Sequence, residues 1–240
     1  MNIIKAFGTT NTDYYSKTLK RRYIVLHYTA GTRSLKGSAR NVASMFRNGS
    51  VGGSADFIVD DEEIVQYNGD IAHRACWSVG GKKYSSMTTN EGGRYYGICT
   101  NSNSINIEMC SNKVNTKNLG ANDTDWYLTE ATINNAVELT KYLMKQYNIP
   151  VENVIMHHHI TGKVCPNPWC VTQTRLSKWN DFKNRLGEQI MKQNVKINGK
   201  VKSLNTINKD GYTYIKVRDL SDVFNIGYNK ETKLITLSVK

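Results

Sequence analysis

Two apolar runs in this chain each deliver a histidine at or just past their carboxyl end, and this repetition constrains the fold more than any other feature. The segment Arg22 to Ala30, R-Y-I-V-L-H-Y-T-A, presents His27, and the run Val151 to Met156 is followed at once by His157. Both runs read as short strands, and the first alternates too little to have an exposed face, so it is expected to be buried on both sides. The stretch Met156 to Trp169, M-H-H-H-I-T-G-K-V-C-P-N-P-W, then adds an ammonium at Lys163 and a thiol at Cys165 before Pro166 and Pro168 stop regular structure. A strand thus hands His157 to a loop that brings Cys165 back toward it. Histidine and cysteine are common zinc ligands, and catalytic zinc takes three protein ligands and keeps one position open. His157 and Cys165 leave one ligand to find, and His27 is the candidate.

Other segments fill in the scaffold. Ser38 reads as the cap of a helix over Ala39 to Asn48, with Val42, Met45 and Phe46 on one face and Gly49 as its stop. Ser54 to Val59 and Ile64 to Tyr67 read as a hairpin around the acidic turn Asp60-Asp61-Glu62-Glu63. Ser104 to Met109, S-I-N-I-E-M, is a strand carrying Glu108; a carboxylate on so apolar a strand is costly without a role. Thr129 caps a helix that runs to Tyr147, with Ile133, Val137, Thr140 and Met144 sharing a face and Pro150 beyond its end. Residues 1–21 read as a polar arm, and Trp77 to Gly97 as a Gly/Ser/Lys-rich, substrate-facing insertion. Strands alternating with helices predict an α/β fold, a mixed central sheet flanked by helices.

After Gln193 the pattern changes to strands joined by Asn198-Gly199 and Asp210-Gly211 turns, a Tyr212 to Lys216 strand, a short helix from Val217 to Phe224, and a closing strand from Leu234 to Val239. The expected organisation is a main domain over 1–187, a linker over 188–193 and a small C-terminal α+β domain over 194–240. That tail has no histidine or cysteine, and it is too small to bury much core. It is expected to bind an outside polymer, to lean on a neighbour, or to pair with a second copy as a homodimer.

The formal charge of +12 favours polyanionic partners: nucleic acid, a membrane surface or an anionic wall polymer. No Lys/Arg run exceeds Lys20 to Arg22, and such dispersed charge weakens the nucleic-acid reading. Five irregularly spaced cysteines do not make a disulfide framework; Cys76, Cys99, Cys110 and Cys170 read as thiols in or near the core. No apolar run approaches the roughly 20 residues of a membrane span, and the N-terminus lacks the apolar core of a signal peptide. The expectation is a soluble, thiol-reduced product made in the cytoplasm, without membrane insertion.

The residues H-H-H-I-T-G-K-V-C-P-N-P-W resemble the R-H-Y-D-V-T-G-K-x-C-P-x-P segment of zinc-dependent N-acetylmuramoyl-L-alanine amidases of the amidase-2 type, a group that includes phage endolysins, clostridial autolysins and relatives of peptidoglycan recognition proteins. I-V-L-H-Y-T-A resembles the family's first ligand strand, S-A-D-F-I-V-D-D its central hairpin, and N-S-N-S-I-N-I-E-M-C the strand of its catalytic glutamate. The four matches fall in family order and span roughly residues 20–185. The resemblance implies one zinc ion on His27, His157 and Cys165, Glu108 as general base and Lys163 facing the oxyanion. It also implies substrate contacts at Trp77, Ser78, His73 and Thr161. Ala55 and Asp56 stand where many members have tyrosine or histidine, Ser78 replaces a usual histidine, and His159 replaces a usual aspartate. The tail resembles, less strongly, the N-terminal-like domain of copper amine oxidases.

Three classes of function follow. The first is a zinc amidase that acts on bacterial peptidoglycan outside the cell, released through a holin or by lysis if phage-encoded. The second is a peptidoglycan-recognition module that binds without cutting, which in this family goes with loss of the cysteine ligand. The third is a basic nucleic-acid-binding protein with a structural zinc, disfavoured by three ligands and scattered charge. The amidase reading uses the most residues.

Overall fold

The structure is a computed structural model that describes residues 1–8, 13–15, 18–81, 83, 91–187, 190–197, 199–209, 212–215, 217–229, 231–232 and 234–239. Two compact units divide between Lys183 and Asn184. The first unit opens with β1 (Ile3–Lys5), β2 (Asp13–Tyr15), β3 (Tyr23–Tyr28) and helix α1 (Ser38–Arg47). Next come β4 (Phe57–Val59), β5 (Ile64–Gln66), β6 (Arg74–Cys76), β7 (Ser104–Met109), β8 (Asn112–Lys113) and β9 (Trp126–Tyr127). Helix α2 (Glu130–Tyr147), β10 (Val154–Met156), the short α3 (His157–Thr161) and all but the last turn of α4 (Gln173–Gly187) complete it.

The main sheet has the order β1-β5-β4-β7-β3-β10. β4 and β5 are the expected antiparallel hairpin, while β4–β7, β7–β3 and β3–β10 are parallel. This is the mixed, helix-flanked sheet that the alternation of strands and helices predicts. β3 carries the core: Ile24, Val25 and Leu26 are fully buried, as a strand covered on both faces must be. α1 sets Ala39, Ala43 and Phe46 against Ile58 and Val65, and α2 packs on β3, β4 and β7.

The acidic turn of the hairpin is structural rather than solvated. Asp60 is fully buried; its Oδ2 accepts from Ala39 N at 2.9 Å and its Oδ1 from Glu62 N and Glu63 N. A carboxylate at the start of α1 satisfies an orphan N–H and complements the positive end of the helix dipole. Asp61 in turn accepts the hydroxyls of Thr129 and Thr132, bolting the turn to the start of α2. Glu63 completes the set with a two-pronged ion pair to Arg40.

Several expectations need correction. Ser38 is the first residue of α1 rather than its cap; Gly37, at φ 89°, holds the cap position, and Asp60 supplies the acceptor from another element. α2 does take Thr129 as its cap, but its buried residues are Thr132, Ala136, Leu139, Thr140 and Leu143. Ile133, Val137 and Met144 sit half-buried on its shoulder, so the face that meets the sheet is turned by about one residue (~100°) from the one periodicity suggested. The N-terminal arm contributes β1 to the main sheet and β2 to a pair with β6. Arg21, from the longest basic run, is buried and donates to the carbonyls of Ile71, Asn101, Ser104 and Arg74. The stretch Val151–Asn153 is a 3-10 turn, leaving β10 only Val154–Met156, and His157 opens α3 instead of a loop.

The second unit contains β11 (Ile190–Ile197), β12 (Lys200–Lys209) and β13 (Tyr212–Ile215) as an antiparallel sheet, then β14 (Phe224–Tyr228) paired with β15 (Ile235–Val239). The backbone is strand from Ile190, so the linker read over 188–193 is strand for most of its length. The short helix is a 3-10 turn, Val217–Leu220, and β14 is a strand that the sequence did not suggest. Gly199 adopts φ 80°, as the hairpin turn requires; Asn198, Asp210 and Gly211 lie outside the described residues, as do 82 and 84–90 of the Trp77–Gly97 loop. Among the described residues no helix is long and apolar enough to cross a membrane. None of the five cysteines is in a disulfide, and all five are buried.

Candidate active site

Parallel register assembles the site at the carboxyl ends of β3, β7 and β10. His27 on β3 stands directly opposite Glu108 on β7, and Leu26 opposite Met156 on β10, so His157 emerges beside His27. Residues in register on neighbouring strands share a face of the sheet. The two imidazole centroids lie 4.8 Å apart, and His27 Nδ1 is 3.8 Å from Cys165 Sγ and 4.0 Å from Glu108 Oε1.

Cys165 returns to the site through the backbone of α3. His158 N donates to the carbonyl of Cys165 at 2.7 Å, and Gly162, at φ 80°, ends the helix so that the chain can turn back. The other two histidines of the run serve that turn. His158 Nδ1 contacts the carbonyl of Lys163 at 2.9 Å, while His159 Nδ1 accepts from Met156 N and its ring packs edge-on to Trp179. Both are buried.

One donor atom from each of His27, His157 and Cys165 falls within a 4.8 Å cluster. Burial holds His27 neutral, its pKa lowered to about 3, and pushes that of His157 well below the usual value, so both rings keep a lone pair. Both ring nitrogens of buried His157 lack a hydrogen-bond partner, as does Glu108 Oε2. Orphaned buried polar atoms are costly, and both residues line one cleft. Burial also raises the Cys165 thiol, with the Glu108 carboxyl adding to the rise and Lys163 opposing it. Two neutral imidazoles and one thiol, gathered beside an open cleft with both His157 nitrogens unpartnered, fit a catalytic zinc. Glu108 has its pKa raised to about 7 by burial, with Lys163 pulling it down.

The cluster lines a cleft of about 1000 Å³. Glu108, Lys163, Trp77 and Ser78 line it with the three cluster residues. Trp77 is 48% exposed at the rim, and Ser78 is tied by its hydroxyl to the carbonyl of Ser54. Two further sequence candidates are elsewhere. His73 is exposed and paired with Asp70 at 2.9 Å, and Thr161 is buried in α3, where its hydroxyl faces Lys163 N; neither lines the cleft.

Three groups escaped the sequence reading. Tyr28 packs edge-on to Trp126 and donates to the carbonyl of Ala121, fixing a loop that walls the cleft. Asn106 and Asp56 lie fully buried behind His27. A signal for Asn106 was present: S-I-N-I-E alternates polar and apolar residues, so Ser104, Asn106 and Glu108 must share a face.

An open cleft at the ends of parallel strands, with a two-histidine, one-cysteine cluster that could hold a metal ion and a carboxylate alongside, defines a site of the hydrolase kind. The chain belongs to the N-acetylmuramoyl-L-alanine amidase family: the family model of that description matches residues 17–168. It is 31% identical over 193 residues to the N-acetylmuramoyl-L-alanine amidase XlyA of Bacillus subtilis (strain 168), covering 78% of this chain and 52% of that protein. It is 27% identical over 233 residues to the amidase CwlL of Bacillus licheniformis, covering 92% of this chain and 58% of that protein. The chain thus spans little more than half the length of these relatives. The catalytic domain of XlyA superposes with a TM-score of 0.54 at 28% identity, over 78% of this chain and 100% of that one. PlyL does so with a TM-score of 0.54 at 25% identity, over 78% of this chain and 97% of that one.

Proposed function

We propose that this chain is a zinc-dependent N-acetylmuramoyl-L-alanine amidase that hydrolyses the amide between N-acetylmuramic acid and L-alanine in bacterial peptidoglycan. The observation that carries this reading is the convergence of His27, His157 and Cys165 beside Glu108 in one cleft. His27, His157 and Cys165 would hold the ion. When bound, zinc supplies a Lewis acid that polarises the amide carbonyl and activates water. Glu108, ionised, accepts the proton of the attacking water and returns it to the leaving amine. Lys163 brings a positive charge to the developing oxyanion; a contact of this kind is worth about 3 kcal/mol in the transition state. Trp77 and Ser78 line the approach for the substrate.

The main domain, 1–187, holds every group in this scheme, so residues 194–240 act by wall binding or self-association and work on wall material outside the cell. Tyr228, Ile235 and Leu237 of the β14–β15 hairpin are exposed, which supports a binding role. The deciding experiment is digestion of purified peptidoglycan. New L-alanine amino termini without new reducing sugars are expected; new reducing ends would make the protein a glycosidase and overturn the assignment.

A further inference from the structure

The cleft residues leave one buried array unused. His27 Nε2 meets Asn106 Oδ1 at 3.1 Å, while Asn106 Nδ2 faces Asp56 Oδ2 at 3.3 Å and Ser104 Oγ at 3.2 Å. Asp56 Oδ2 also accepts from Asn106 N at 2.7 Å, and Asp56 Oδ1 from Asn68 Nδ2 at 2.6 Å. Asp56, Asn68, Ser104 and Asn106 are fully buried and His27 nearly so, so water cannot reorganise these bonds. β4 and β7 hold the pair rigidly, because Asp56 N donates in return to the carbonyl of Asn106.

We propose that Asp56 and Asn106 are positioning residues that fix the tautomer of His27. The logic is one of donors and acceptors. The Asp56 oxygen that meets the Asn106 side chain already accepts from the Asn106 backbone N–H, so the side chain must turn its NH₂ toward Asp56. Its oxygen then faces His27 and accepts, which places the imidazole proton on Nε2. Nδ1, the nitrogen nearest Cys165 and Glu108, is left as a bare lone pair pointing into the site. With the amide reversed, an NH₂ would face Nε2, the proton would move to Nδ1, and that nitrogen could not act as a ligand. The orienting carboxylate reaches its histidine through an intervening amide rather than by direct contact.

This inference rests on the reading of His27 as a metal ligand, and the experiment separates the two. In the zinc-free parent chain, nitrogen-15 NMR should show His27 protonated at Nε2. Asn106→Ala should populate the Nδ1–H form and weaken zinc binding, measured by chelator competition, about 10- to 100-fold. Asp56→Asn keeps the volume of the side chain and is the safer variant for folding. Its oxygen stays on the backbone N–H of Asn106 and its NH₂ turns to Asn68, so Asp56→Asn should keep the Nε2–H form, whereas Asp56→Ala, which removes the acceptor, should move the same two readouts in the direction of Asn106→Ala. A merely structural role would lower the melting temperature of the zinc-free protein and leave the tautomer unchanged. A parent chain that binds zinc but carries the proton on Nδ1 would overturn the relay alone. So would Asn106→Ala and Asp56→Ala variants that keep both the Nε2–H form and the parent's zinc affinity. A parent chain that binds no zinc would instead overturn the metal reading itself.

Discussion

At the residue scale the site is decided by which buried groups lack partners. His157, with both ring nitrogens unpartnered, is costly to the metal-free fold, and a cation held with His27 and Cys165 would relieve that cost. Cys165→Ser should therefore lose stoichiometric zinc together with activity, read by metal analysis after dialysis against chelator. Full activity without metal would defeat the assignment. Glu108→Gln should keep zinc and lose about 10²- to 10⁴-fold in kcat, the usual range for removing a general base; loss of zinc as well would make Glu108 structural. Titration of Glu108 gives a sign to the pH dependence. Its pKa in the folded, metal-free chain is about 7 against an ordinary 4.5, so the folded state holds this proton more tightly. The stabilisation is full below pH 4.5 and is lost as pH rises through 7. Buried His27 and His159 act in the opposite sense, losing stability as pH falls below 6.5 toward about 3, so the parent-minus-Glu108→Gln difference in melting temperature isolates the carboxyl. In catalysis the ionised form is required, giving kcat/KM an acid limb. Lys163→Met should move that limb to higher pH, because Lys163 lowers the Glu108 pKa.

At the element scale, the hairpin turn of β4 and β5 organises both helices. Asp60 gathers three backbone N–H groups and Asp61 two hydroxyls, tying α1 and α2 to one acidic corner. Asp60→Ala would leave those buried donors without an acceptor, at a cost of roughly 2–3 kcal/mol. The melting temperature of the first unit should fall by several degrees, with zinc affinity much less affected because Asp60 makes its bonds to α1 and its own turn rather than to the cluster residues. An unchanged melting temperature would mean that water replaces the carboxylate.

At the scale of the whole molecule, the division between Lys183 and Asn184 separates the groups that do chemistry from a basic, partly apolar tail. A chain ended at Gly187 is expected to bind zinc and cleave soluble muropeptide while binding and lysing whole walls markedly less. The wall binding of the full chain should also weaken with salt, since its net charge of +12 acts through screened, surface attraction. Equal pull-down of both proteins on walls in the same buffer would remove the targeting role. A dimer-to-monomer change on a sizing column would then favour self-association.

The sequence by itself determined what depends on neighbours along the chain. Apolar runs ending in His27 and His157, the alternation that puts Glu108 on a strand, the Thr129 cap and the hairpin around Asp60 are all set by short-range periodicity and turn chemistry. The four family motifs added the roles. Only the tertiary structure decided which residues meet. Pairing of His27 with Glu108, and of Leu26 with Met156, depends on strand register between segments far apart in sequence, and alternation names a face without naming the neighbour on it. For the same reason the cap of α1 came from Asp60, the buried side of α2 was set by the sheet beneath it, and Arg21 left the solvent to serve backbone carbonyls. The array behind His27 belongs to this second kind. Asp56 and Asn106 are ordinary polar residues until β4 and β7 lie side by side, and only then does a carboxylate have an amide to turn.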